Sequence, residues 1–74
     1  MKYERETSDL LRRLGVNNSY VGFGYTIHGI ISTIWLHGNR ELLNQVFGFE
    51  LEQKPRNGAF IDALSHYVVK HYYD

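Results

Sequence analysis

The 74 residues contain no cysteine, so one small core has to close by apolar packing alone. No disulfide can staple the chain, and thiolate chemistry and cysteine-bearing zinc sites are excluded. One domain, residues 1–74, is expected, at a size where a core leaves roughly 3–5 kcal/mol of net stability. The composition suits such a core: 43% of residues are hydrophobic and 15% are aromatic, with a single proline. Large rings help a small interior to fill. Pairing with a second copy is another common remedy at this length and stays open.

The apolar spacing is helical. Thr7-Ser8-Asp9 followed by Leu10, Leu11 and Leu14 reads as a helix, with Gly15 placed as its C-terminal cap. Tyr3, Thr7, Leu10 and Leu14 continue the same face backwards, so an earlier start is also compatible. Ile27, Ile30, Ile31 and Ile34 follow i, i+3, i+4, i+7, which favours a helix despite the β-branched content and Gly29. His37-Gly38-Asn39 ends it, and Asn39 then caps a short helix over Arg40 to Phe47. Leu42, Leu43, Val46 and Phe47 face inward there, and Gly48 closes the element. Phe49 to Lys54 reads as a short helix or an extended segment, and Pro55-Arg56-Asn57-Gly58 as a turn. From Ala59 to Tyr73, Phe60, Leu64, Tyr67, Val68 and His71 or Tyr72 form one stripe. The expected fold is all-α: a compact bundle of four or five helices.

Residues 14–25, LGVNNSYVGFGY, hold three of the seven glycines, two tyrosines and no charge. Gly22-Phe23-Gly24 opens like a phosphate loop, but Ile27 stands where a dinucleotide fingerprint needs its third glycine. No Lys-Ser or Lys-Thr pair makes a Walker loop. The simpler reading is tight backbone turns, with Tyr20, Phe23 and Tyr25 filling gaps between helices.

Catalytic and metal constellations fare no better. His66 and His71 lie five apart, about 140° from alignment on a helix, and no H-E-x-x-H spacing occurs. Ser65 and His66 are adjacent and point apart, so spacing assembles no nucleophile, base and orienting residue. No enzyme activity, metal or other cofactor is expected. No run approaches the length of a membrane span and no secretory leader is evident, so a cytoplasmic protein without membrane partners is expected.

The formal charge is zero, with eight basic and eight acidic residues, whereas nucleic-acid binders usually carry a basic excess. Arg12-Arg13 reads as the solvated end of a helix, where positive charge suits the macrodipole. Lys54 and Arg56 lie in a turn directly before the last helix. In a helix-turn-helix reader that is where phosphate-contacting residues often sit, and a purely structural turn fits the same residues equally well.

Leu14-Gly15-Val16, then Gly22-Phe23-Gly24-Tyr25 and Ile30, resembles the start of one known family. That family is the C-terminal DNA-binding effector domain of the sporulation stage-zero response regulator of endospore-forming bacteria. Glu41-Leu42-Leu43 resembles its entry into a third helix, which is several residues shorter here. The resemblance implies a helix-turn-helix in the C-terminal half. Phe49 to Lys54 would be the positioning helix, Pro55 to Asn57 the turn, and Gly58 onward the recognition helix. Where the family places arginines, Gly58 to Ser65 has no Arg or Lys, and the next basic side chain is Lys70. Bidentate guanine contacts are therefore unavailable from that half. The family's receiver domain is not among these residues, so phosphoryl control within the chain is not expected.

Two functions follow. In the first, a small helix-turn-helix regulator, paired as a dimer, binds double-stranded DNA through Lys54, Arg56 and Asn57, with Ser65 and His66 on the exposed face. In the second, the same fold has lost DNA binding and packs on a protein partner or second copy through the last helix. The placement of the adjacent Phe60 and Ile61 separates them: if both are core, the recognition face is polar and favours DNA.

Overall fold

The computed structural model describes residues 4–16 and 26–73. Four helices make up the architecture: α1 (Glu4–Leu14), α2 (Ile27–His37), α3 (Arg40–Phe47) and α4 (Asn57–Tyr73). No strand occurs among the described residues. The glycine-aromatic stretch between Val16 and Thr26, and with it the reading of Tyr20, Phe23 and Tyr25 as gap fillers, lies outside the described residues.

The earlier start for α1 is the observed one, so Thr7, Ser8 and Asp9 sit inside the helix. Glu4 and Glu6 occupy its first turn and Arg12 and Arg13 its last, each sign matching the helix dipole. The helix ends in a Schellman motif: Gly15 N–H donates to Arg12 O (3.0 Å) and Val16 N–H to Leu11 O (2.9 Å). Gly15 takes φ 110°, a left-handed value that favours glycine. Val16 is buried and Leu11 partly so, completing the apolar contact of that motif. The Leu-Gly-Val corner is therefore a helix stop that also feeds the core.

Thr26 caps α2 by accepting from Gly29 N–H at 3.0 Å. Ile31 and Ile34 are buried, whereas Ile27, the first member of the expected stripe, is exposed. Asn39 caps α3 as expected, its Oδ1 accepting from Leu42 N–H at 3.0 Å. Its own N–H donates to Leu14 O at 2.9 Å, which ties the end of α1 to the α2–α3 turn. Gly48, at φ 84°, closes α3.

The positioning helix expected over Phe49 to Lys54 is not there. After Gly48 the chain runs without helix to Arg56, so α3 and α4 are joined by a long connector. Two local causes are visible. Asn44 Oδ1 takes Leu51 N–H at 2.9 Å, drawing partly buried Leu51 onto the core. Pro55 also disfavours helical geometry at Lys54. A helix as short as this segment needs strong packing to survive, and here only Leu51 and Pro55 are partly buried.

α4 begins at Asn57, earlier than expected, and packs against all three other helices. Phe60, Leu64 and Val68 are buried, with Ala63 and Tyr67 partly so. The inward stripe stops there. His71 is exposed and stacks on Tyr67 at 3.9 Å, and Tyr72 is 40% exposed. The core is wholly apolar: among the described residues no polar or charged side chain is buried.

Candidate nucleic-acid interface

Among the described residues the interior is apolar, so their chemistry lies at the surface. Among the described residues no cluster of His, Asp and Glu could hold a metal ion. No described helix is long and apolar enough to cross a membrane.

The five candidate residues are all exposed, but they form two groups. Lys54, Arg56 and Asn57 gather at the N-terminal end of α4. Lys54 Nζ donates to Ser32 Oγ on α2 at 3.1 Å, which places its charge beside that helix. Arg56 O accepts from Phe60 N–H at 2.9 Å, the first bond of α4. Arg56 thus stands at the cap position, and the N–H groups of Asn57, Gly58 and Ala59 have no intrahelical acceptor. The dipole adds partial positive charge at this end.

Ser65 and His66 form the second group, about 12 Å further along the axis from Asn57. They are exposed together with Asp62 and Val69, on the side of α4 opposite Phe60 and Leu64. Gly58 and Ala59 are small and exposed, and a Cβ at Gly58 would meet nothing within 4 Å. A backbone or phosphate can therefore approach the first turn closely.

Opposing features share this surface. Glu50 and Glu52 line the same groove as Lys54 and Arg56, so its charge balances. Phe60 is core at 2% exposure, whereas Ile61 is 43% exposed, so the outward side of α4 is not purely polar. Sequence reasoning missed Val69, also 43% exposed. The signal was present: Ile61, Ser65, Val69 and Tyr72 repeat at i, i+4, i+8 and i+11, a second stripe beside the core stripe.

A family model, sporulation initiation factor Spo0A C terminal, matches residues 26–68. The matched segment runs from the cap of α2 through most of α4 and contains all five candidate residues. The Leu-Gly-Val and Gly-aromatic residues precede it. No curated protein and no solved structure matches the chain. The matched segment covers more than half of the sequence, and the chain belongs to the family of the sporulation initiation factor Spo0A C-terminal region.

Proposed function

We propose that the chain is a DNA-binding regulatory module that meets double-stranded DNA with the N-terminal end and outward side of α4. The carrying observation is the convergence of Arg56, Asn57 and the open first-turn N–H groups at one exposed helix end, inside the family segment. Backbone N–H groups, a guanidinium and a helix dipole pointing the same way suit phosphate oxygens. Ser65 and His66 then face the duplex. The role is binding, without catalysis.

Magnitudes set the expected strength. With zero net charge and two basic side chains at the contact, few counterions are released, so affinity is low and its salt dependence shallow. Fluorescence anisotropy on random duplex across a salt series tests this with wild type and Arg56→Ala. Micromolar binding that weakens with salt is expected, with the log–log slope reduced by about 1 in the variant. No binding at low salt and high protein concentration would overturn sequence-independent DNA contact.

The second reading, a protein-interaction module of the same fold, is favoured by one observation. Ile61, Val69 and Tyr72 are exposed apolar side chains on the helix that would read DNA. Such a stripe suits a protein surface better than a phosphate backbone.

A further inference from the structure

We infer that two copies of this chain pair through the outward side of α4, antiparallel, about a two-fold axis near His66. The inference starts from the stripe of Ile61, Ser65, Val69 and Tyr72, of which the three apolar members are 43%, 43% and 40% exposed. Ile61, Ser65 and Val69 share one side of the helix and make no hydrogen bond or ion pair to another described helix, whereas Tyr72 OH donates to Asp9 Oδ2 on α1 at 3.4 Å and marks the edge of the stripe.

Symmetry selects the occupant. In an isologous pair, residue i of one copy meets residue j of the other, and j meets i. An antiparallel dyad at Ser65 sets Ile61 against Val69 of the second copy. The small Gly58 leaves open space for a second copy to approach the first turn, since a Cβ there would meet nothing within 4 Å. The adjacent row of Asp62, His66 and Lys70 is centred on His66, about 1.5 Å along the axis from Ser65. The same pairing therefore brings Asp62 of each copy to Lys70 of the other.

Both charges are available for this. Asp62 and Lys70 are exposed and make no ion pair among the described residues. An apolar stripe centred on one residue, flanked by a charge row that is self-complementary about almost the same point, fits a second copy. It does not favour an acidic or a basic partner. Exposed ion pairs add little affinity but penalise wrong registers, so the charges set the alignment while the stripe supplies the attraction. One helix face is smaller than the roughly 800 Å² per partner of a standard interface, so the dimer is weak. It also covers Ser65 and His66, which makes pairing and DNA occupancy of this side mutually exclusive.

Sedimentation equilibrium of the whole chain without DNA, from about 10 µM to about 1 mM, tests the pairing in the affinity range of a small interface. Wild type is expected to dimerise. Asp62→Lys and Lys70→Asp each oppose like charges and should weaken the dimer about tenfold. An equimolar mixture of the two variants sets two basic residues against two acidic ones and should recover wild-type strength. Circular dichroism checks that both surface variants keep their helices. A monomer throughout, a dimer indifferent to both reversals, or no recovery in the mixture would overturn the inference. DNA is absent from the assay, so its outcome is independent of the function proposed above.

Discussion

Gly38 has φ −91°, a value any residue adopts, so its requirement is one of space. A Cβ there would lie 2.3 Å from Leu14 O and 2.8 Å from Ile34 Cα. Both neighbours are backbone, held by helix geometry and by the Asn39–Leu14 hydrogen bond, and neither can move aside cheaply. Gly15 faces the same junction, where its own Cβ would come within 2.9 Å of Gly38 Cα. The two glycines together let the end of α1 touch the α2–α3 turn. Gly38→Ala should therefore lower stability by about 2–3 kcal/mol, read from the midpoint of urea unfolding. An effect below about 0.5 kcal/mol, normal for a surface change, would contradict this close approach.

Among the elements, α4 is at once a main core helix and the bearer of the surface proposed to meet DNA. Neighbouring residues should separate the two roles. Phe60→Ala empties a site touching the heart of the core and should cost about 3–5 kcal/mol, enough to unfold most of so small a domain. Ile61→Ala, one residue on, should change stability by less than about 1 kcal/mol. Thermal unfolding of both variants checks the contrast; equal losses would mean that the facing of α4 is wrong.

Much of this helix was legible in the sequence, because Phe60, Leu64 and Val68 keep strict helical spacing. Asn39 and Gly48 were legible as caps by residue type, and Gly15 as a helix stop. The connector was not. Residues 49–54 carry no periodicity strong enough to decide, and their path is fixed by Asn44 reaching Leu51 and Lys54 reaching Ser32. Those contacts are tertiary, and local pattern does not register them. The helix-turn-helix alignment failed at the same place, since the family resemblance carried a positioning helix onto a segment that Gly48 and Pro55 bracket. Ser65 and His66 lie on an exposed face, as expected, and Lys54, Arg56 and Asn57 are exposed too. That Lys54 leans on α2 needed the packing to become visible, whereas the apolar Ile61 and Val69 that interrupt the polar face were present in the spacing and went unread.

Over the whole molecule, the distribution of charge matters more than its sum. The bundle is flattened, 30 × 29 × 19 Å, with α4 packed on the other three helices and one long side left to solvent. Zero net charge gives no long-range attraction to a polyanion, so any DNA contact depends on the local field at the start of α4. The open helix end and the basic turn support the proposed contact at that spot, and the acidic Glu50 and Glu52 beside it would keep it small.

The direct test is to titrate the chain with short duplex DNA at low salt and follow its backbone amide signals by nuclear magnetic resonance. DNA contact by α4 puts the largest shifts at Arg56, Asn57, Gly58 and Ala59, extending to Ser65 and His66, with α1 unmoved. Shifts confined to Arg12 and Arg13 at the end of α1, or none at all, would contradict it.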